Sequence, residues 1–369
     1  MSELYTDEQR MLIDSVQRWG AQVCTPDRRA QALAHRHGCP EDHWAQLGEM
    51  GWLALPFSPH EGGLGGTLLD MGLIAEELGK ALATEPYVAC GVMAAGLLAD
   101  GGDSLLRAQW VPDLVQGARR VALSPWEIDG VGEILPPVAQ AVHRDGQWYV
   151  TGEKALMPGV AGAQGVIVAA RLDDGGATLG LLLVDPEQPG VALKAGPLYD
   201  GRHGAALAMS NAQAMLLDSG PSARIMARLQ GAVEQGWVAH CAEVAGAAQA
   251  AFSLTRDYVA TRRQFGRSIG SNQVIQHRLV DLFVQIEEAR AFWRETALAP
   301  DAARVAALMA RTLEMATHVW EECIQLHGAI GMTDEYVLGA YVRRLALAGR
   351  VYGLAHAHRE RLFCLSFEA

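Results

Sequence analysis

A set of long apolar stripes at helical spacing in the C-terminal part of the chain restricts the fold more than any other feature. Val233, Trp237, Val238, Cys241, Val244, Ala245, Ala248 and Phe252 recur at three- and four-residue intervals, which places them on one face of a helix over about 225–260. The same spacing in Ile275, Leu279, Leu282, Phe283, Ile286 and Phe292 predicts a second helix over about 272–297 and, further on, a third over about 302–326. A last helix is expected from near Glu335 to Leu362. Stripes this long, joined by short connectors, bury their apolar faces most simply against one another, as a four-helix bundle. Tyr341, Arg343 and Arg344 on the last helix read as surface or interface groups.

Two connectors of this bundle carry unusual residues. Between the first two helices lie Arg262, Arg263, Gln264, Phe265, Gly266, Arg267, Ser268, Ile269 and Gly270. The glycines allow backbone angles that a side chain resists. Guanidinium groups around an aromatic ring suit a flat, anionic ligand, by bidentate pairing with phosphate and by stacking. On the residues alone, a helix corner with solvated arginines and one buried Phe is the favoured reading. Between the third and fourth helices runs Gln325-Leu326-His327-Gly328-Ala329-Ile330-Gly331-Met332-Thr333. It reads as a glycine-containing interhelical turn, and its glycines also let backbone N–H groups approach a ligand.

The N-terminal part is helical as well. Thr6 precedes Asp7, Glu8 and Gln9 as a helix N-cap; further helices are expected over about 42–50, 68–83 and 105–114 from their apolar spacing. The Gly-rich stretch from His60 to Gly66 lacks the Lys-Ser/Thr of a phosphate loop and reads as a tight connector. Near Arg120 the pattern changes to short Val- and Leu-rich runs bounded by Gly, Pro and Asp: Val121–Ser124, Gln147–Gly152, Gly165–Ala170, Leu179–Val184, Val191–Lys194 and Ala214–Leu217. These indicate a small β domain, with the acidic pair Asp173-Asp174 in a solvent-facing turn. The chain is thus expected to be α+β and mostly α. A helical domain over 1–117, a β-barrel-like domain over 118–220 and a four-helix bundle over 221–369 follow one another.

Composition narrows the function classes. A formal charge of -12 argues against nucleic-acid binding. The six cysteines are scattered without a Cys-x-x-Cys pair, so neither a metal site nor a redox motif is signalled, and a reducing, cytoplasmic setting is the default. No stretch offers the roughly 20 apolar residues of a membrane span, and no signal peptide is visible. No Gly-x-Gly-x-x-Gly follows a strand, which speaks against a Rossmann nicotinamide site.

Arg262-x-x-Phe265-Gly266, then Ile269-Gly270, Gln276-His277-Arg278 and Asp281 closely resemble the acyl-CoA dehydrogenase family. Gly51-Trp52-Leu53, Gly62-Gly63-Leu64-Gly65-Gly66 and Glu76-Glu77-Leu78-Gly79 are similar to its N-terminal domain. The resemblance implies FAD as cofactor and an acyl-CoA substrate, with fatty-acid metabolism as the setting. It also implies an oligomer, commonly a tetramer, and an electron-transferring flavoprotein or similar acceptor. In the family the Arg-x-x-Phe-Gly turn and the Gln-x-x-Gly-x-x-Gly segment reach a neighbour's flavin. That nominates Arg262, Gln264, Phe265, Gln325, Gly328 and Gly331 as cofactor-binding. Arg262 would meet the pyrophosphate and Phe265 would pack on the cofactor. The β domain of the family covers the flavin through a Thr-Glu-Pro loop and a Trp-x-Thr stretch. Here these correspond to Leu123–Glu127 and Ala155–Met157, which keep Ser124 as a hydroxyl donor but lose the Trp.

The family's reaction removes an α-proton to a carboxylate and a β-hydride to the flavin. Its base sits in many members in a Tyr-Glu-Gly near the C-terminus. The corresponding place here is Val351-Tyr352-Gly353, and a Tyr with an ordinary pKa of about 10 is a poor acceptor of that proton. The alternative family position falls on Gly236. Two carboxylates lie nearby: Glu243, on the face of Gly236 within an apolar stripe, and Glu234. Glu243 is the first candidate base, against its reading as a buried acid paired with an Arg. Two functions follow: an FAD-dependent acyl-CoA dehydrogenase, or a non-catalytic half-site subunit of a hetero-oligomeric one. Taken whole, the chain resembles the small-subunit branch of the bacterial enzymes, similar to the pimeloyl-CoA dehydrogenase small subunit.

Overall fold

The computed structural model describes residues 5–172, 178–333 and 335–367; Asp173 and Asp174 lie outside them. In chain order the helices are α1 (Asp7–Val23), α2 (Pro26–Ala34), α3 (Glu41–Glu49), α4 (Leu68–Lys80), α5 (Ala95–Ala99, preceded by a π-helical segment at Tyr87–Ala94) and α6 (Ser104–Val115). Strands β1 (Val121–Ser124), β2 (Gln140–Arg144), β3 (Gln147–Pro158), β4 (Gly165–Leu172), β5 (Thr178–Val184), β6 (Val191–Pro197) and β7 (His203–Pro221) follow. Then come α7 (Ser222–Thr261), a ribbon of β8 (Arg263–Gln264) and β9 (Arg267–Ser268), α8 (Gln273–Leu298), α9 (Ala302–His327), α10 (Leu338–Val351) and α11 (Ala355–Phe367). No helix among the described residues is long and apolar enough to cross a membrane.

Two compact units result. One comprises Met1–Arg29, Leu68–Ala83 and Trp237–Ala369; the other comprises Ala30–Thr67 and Thr84–Gly236.

In the first unit, α1 opens with a capping box in which Thr6 and Gln9 satisfy each other's backbone N–H groups, as a Thr three residues before a Gln favours. The stripe of α7 is buried as its spacing predicts: Trp237, Val238, Cys241, Val244, Ala245 and Ala248 are at most 1% exposed. Gly246 and Gly79 let α4 and α7 cross at backbone distance, since a Cβ on either would meet a carbonyl at about 2 Å (1.9 Å from Glu76 O, 2.0 Å from Glu243 O). On α8 the stripe is only partly as predicted: Leu282 and Ile286 are buried, Ile275, Leu279 and Phe292 are half-buried, and Phe283 is exposed.

Two expectations are corrected here. The last helix is not continuous: it breaks at Tyr352–Leu354 between α10 and α11, where Gly353 takes φ +99°, a value a side chain resists. Tyr341 and Arg344 are not surface groups: both are buried. Tyr341 Oη donates to the Lys80 carbonyl at 2.6 Å and Arg344 Nη2 to that of Ala83 at 2.8 Å, so α10 is fastened to the end of α4 by main-chain acceptors.

In the second unit, β4 pairs with β5, β5 with β7, β7 with β3, β3 with β2, and β2 back to β4, closing a small barrel. β1 runs parallel to β4, and β6 lies along the first half of β7. The 19-residue β7 serves three neighbours. Its alternating Ala, Ser and Asn residues hide a strand signal that only Ala214–Leu217 revealed. His60–Gly66 forms a short connector that starts with a 3-10 turn at Pro59–Glu61.

Candidate active site and cofactor grip

The connector after α7 is more specific than a loop. β8 and β9 pair antiparallel around Phe265 and Gly266, at φ +48° and +83°, the two-positive-φ turn that suits a tight hairpin. Arg263 Nη2 donates to the Gly266 carbonyl at 2.9 Å, and Arg267 Nη2 to Asn272 Oδ1 at 2.6 Å. Those two arginines brace the hairpin. The Arg262 guanidinium is exposed and has no partner among the described residues, and the Phe265 ring is fully exposed at 100%. Gln264 is exposed beside it. The alternative of a buried Phe is therefore excluded.

The second connector lies at the same end of the bundle. α9 ends at His327, Gly328 takes φ +66°, and a 3-10 turn covers Gly328–Met332. Tyr258, whose carbonyl receives the Arg262 N–H, donates its hydroxyl to the His327 carbonyl at 3.3 Å. Its ring stacks on His327 at 4.3 Å, and His327 meets Tyr336 at 5.3 Å. Burial pushes the His327 pKa down, against the Cys323 carbonyl that accepts from Nδ1, so this ring serves as a neutral clamp. The clamp brings Arg262, Gln264 and Phe265 to the same end as Gln325 and Gly328, all of them exposed. Gly331 is buried beneath them. A Cβ at Gly328 would meet nothing within 4 Å, so open space lies over that turn.

In the second unit Ser124 ends β1, is 0% exposed, and its hydroxyl has no partner among the described residues. The two stretches that depart from the family pattern lie side by side: the Ala155 N–H donates to the Trp126 carbonyl at 2.9 Å, and Lys154 Nζ meets Glu127 Oε1 at 2.5 Å. Lys154 is buried; burial pushes its pKa down and Glu127 opposes that. Sequence reasoning missed this pair, although a Lys inside an apolar strand was the available signal. A groove of about 350 Å³ in the same unit is lined by Gly96, Leu97, Ala227, Gly231, Ala232 and Gln235, with Arg224 and Arg228 beside it.

The candidate base is placed differently. Glu243 is 6% exposed and paired with Arg344 Nη1 at 3.0 Å, while His240 Nδ1 lies 3.4 Å from its other oxygen. Arg344 and His240 were not foreseen as its partners. Gly236 is packed shut, since a Cβ there would lie 2.3 Å from Met93 Cε. Glu234 is half-buried and accepts from Gln230 Nε2 at 2.9 Å. Tyr352 is buried, with its ring edge-on to His240 at 4.7 Å. No group of three or more metal-ligating side chains occurs among the described residues.

The residues fit the FAD that the resemblance implies. An unpartnered guanidinium and an open glycine turn suit a pyrophosphate, and an orphaned buried hydroxyl suits a carbonyl acceptor.

Comparison with known proteins bears on the family and the fold. The family profile "Acyl-CoA dehydrogenase, N-terminal domain" matches residues 6–118, and "Acyl-CoA dehydrogenase, C-terminal domain" matches residues 226–360. A probable acyl-CoA dehydrogenase of Bacillus subtilis, YngJ, is 26% identical over 350 residues, covering 90% of each chain. Among solved structures, a variant of the Tcur3481-Tcur3483 steroid ACAD is 27% identical with a TM-score of 0.88, covering 98% of each chain. The ChsE4-ChsE5 complex from Mycobacterium tuberculosis has the same fold, with 23% identity and a TM-score of 0.88 over 99% of this chain and 98% of that one. With both terminal domains matched and the fold shared along the whole length, the chain belongs to the acyl-CoA dehydrogenase family of oxidoreductases.

Proposed function

We propose that this chain takes part in the FAD-dependent α,β-dehydrogenation of an acyl-CoA thioester to the 2-enoyl-CoA. It does so as a subunit whose Arg262–Gly270 hairpin and Gln325–Gly331 turn hold FAD bound to an adjacent protomer. The observation that carries this reading is the pairing of an unpartnered Arg262 guanidinium with a fully exposed Phe265 ring on a braced hairpin. Among the described residues nothing pairs with the one or packs on the other. When bound, FAD supplies the acceptor for the β-hydride. In this reading Arg262 pairs with its pyrophosphate, Phe265 covers its ring system, and Gln264, Gln325 and the backbone at Gly328 and Gly331 complete the hold. Ser124 would donate to FAD bound by this chain itself. Electrons leave to an electron-transferring flavoprotein or similar acceptor.

The small side chains of the 350 Å³ groove suit the thin arm of a CoA thioester. Gly231→Leu, where the new Cβ meets nothing within 4 Å, should then weaken acyl-CoA binding and leave flavin content unchanged; unaltered binding removes the groove from the reading.

Two versions differ over the base. In the first, Glu243 of this chain takes the α-proton. In the second, this chain is a half-site subunit and the base belongs to a second acyl-CoA dehydrogenase subunit. The Arg344–Glu243 ion pair favours the second, because a base for that proton needs its proton affinity raised, and a guanidinium at 3.0 Å does the reverse. The visible spectrum decides between them. The protein alone, and then co-expressed with its genomic neighbour, is titrated with a saturated acyl-CoA. Bleaching that survives Glu243→Gln puts the base elsewhere, while bleaching of the isolated chain that this change abolishes restores Glu243. A chain that retains no flavin in either preparation defeats both.

A further inference from the structure

Arg120, the residue before β1, carries a charge that the fold does not answer. It is 3% exposed, and among the described residues its guanidinium makes no hydrogen bond and no ion pair. Its main chain is held: the N–H donates to Gln164 Oε1 at 2.7 Å, and the carbonyl accepts from the Gln164 N–H at 2.9 Å. The Trp44 ring lies 5.8 Å from the guanidinium carbon, a contact that offsets only part of the cost of taking an ion out of water. The other buried cations among the described residues are each answered by a carboxylate: Lys154 by Glu127, Arg202 by Asp200 and Arg344 by Glu243. A buried guanidinium without one is short of a counter-ion.

The neighbours do not supply it. Glu85 is engaged with His43 Nδ1 and the Thr84 N–H, both at 2.9 Å, and Glu41 faces His35 Nε2 at 3.3 Å. The thiols of Cys39 and Cys90 stay neutral, because burial pushes both pKa values up, that of Cys90 to about 12. What converges on the guanidinium is open to an anion instead. Gly162 is half-buried at φ +80°, and a Cβ on it would stand 2.6 Å from Arg120 Nη2 and 2.8 Å from His37 Cγ. Bare of a side chain, it lets the guanidinium and the half-buried His37 ring meet at the 158–164 loop. Burial and the charges of exposed Arg36 and of Arg120 push the His37 pKa down, and Glu41 and His35 do not reverse this. The spot therefore has a positive potential and a neutral imidazole that can donate one N–H.

We propose that Arg120 anchors a binding site for a small oxyanion, a carboxylate or phosphate group taken by the guanidinium fork with His37 as a second donor. Arg120 and Ser124 flank β1 at opposite ends, about 13 Å apart along an extended strand. The inference therefore does not rest on the flavin reading.

The test is the ring C–H NMR signal of His37 in the whole protein, assigned by its loss in His37→Gln. It is followed against pH in formate, in inorganic phosphate and in neither, at fixed ionic strength, with exposed His60 as the reference. An anion on Arg120 offsets the charge that depresses the ring, so the His37 pKa should rise saturably, by about half a unit or more, in at least one of the two anions. A response to formate alone identifies a carboxylate ligand, and a response to phosphate alone a phosphate group. Arg120→Met replaces an unanswered buried charge by an apolar chain and should fold at least as well as the parent in the anion-free buffer; it should lose the His37 response. A His37 pKa indifferent to both anions overturns the proposal, as does a shift shared by His60 or an equal shift in Arg120→Met. If the variant does not fold, the comparison of His37 with His60 in the parent protein decides alone.

Discussion

The bundle presents two kinds of cationic site, and they are opposites. At its loop end, Arg262 and Phe265 stand in solvent with no partner among the described residues. In its interior, Arg344 is 1% exposed and answered on both sides, by Glu243 and by the Ala83 carbonyl. Around Glu76 the interior is equally saturated: Arg290, Arg294 and Lys80 meet its carboxylate, and Trp293 Nε1 donates to it at 3.0 Å. A group that a fold leaves unanswered on a rigid, braced hairpin is available to something outside the chain. A buried charge that is fully answered stabilises the fold and is poor material for chemistry that needs a proton to move.

The largest expected effect lies on the buried side. Arg344→Leu strips one partner from a buried pair and should lower the unfolding free energy by about 3–5 kcal/mol, read by urea denaturation. A loss below about 1 kcal/mol would place Arg344 with the idle surface groups and erase the contrast. Glu76→Gln should cost less, because Lys80 keeps Glu77 and Arg290 keeps Glu287 as partners. Its signature is pH dependence. Burial alone would raise the Glu76 pKa, but Lys80, Arg294 and Arg290 outweigh burial and hold it below the usual carboxylate value. The folded state thus binds fewer protons there than the unfolded chain. That stability is present above the unfolded value and is lost as pH falls through the folded one. The wild-type protein should lose more stability than Glu76→Gln on going from about pH 5 to about pH 3; parallel curves would show that the cluster does not set the acid limit.

On the exposed side the expectation inverts. Arg262→Ala should change unfolding by no more than about 0.5 kcal/mol. It should weaken flavin retention in the assembled oligomer by about ten- to a hundredfold, the worth of about 1.5–3 kcal/mol for charge-assisted hydrogen bonds. Equal flavin content in the variant and the parent, measured after dilution, would sever the hairpin from the cofactor.

The same division explains what the sequence made legible. Helices α7, α8 and α9 and the barrel's apolar strands follow from periodicity, since burial of one face is a local constraint written along the chain. Arg262, Phe265 and the Gln325–Gly331 turn were legible because motif and glycine spacing are local too. The α10–α11 break was not, because no run of apolar residues marks it, and the His240 ring that meets the Ala348 carbonyl beside it comes from 108 positions away. Arg344 read as a surface group for the same reason: its partners, Glu243 and Ala83, lie 101 and 261 positions away. The helix at Pro26–Ala34 and strand β2 carry too few apolar residues to announce themselves.

The smallest expected effect bears most directly on the hairpin. Phe265 sits at φ +48°, where an L-residue loses roughly 1–2 kcal/mol to the clash of Cβ with the following carbonyl. Its ring is fully exposed and returns no packing energy within the chain. Glycine accepts that angle freely, at a cost of about 0.5–1 kcal/mol in unfolded-chain entropy. Phe265→Gly should therefore leave the fold as stable as before, or more stable by up to about 1 kcal/mol, while flavin retention falls. Together the two results would assign Phe265 to a contact outside its own chain. Calorimetry on the variant reads the first half and flavin content after dilution reads the second. Destabilisation by more than about 1 kcal/mol would mean that the ring packs within its own chain after all, and the hairpin would then belong with the saturated interior.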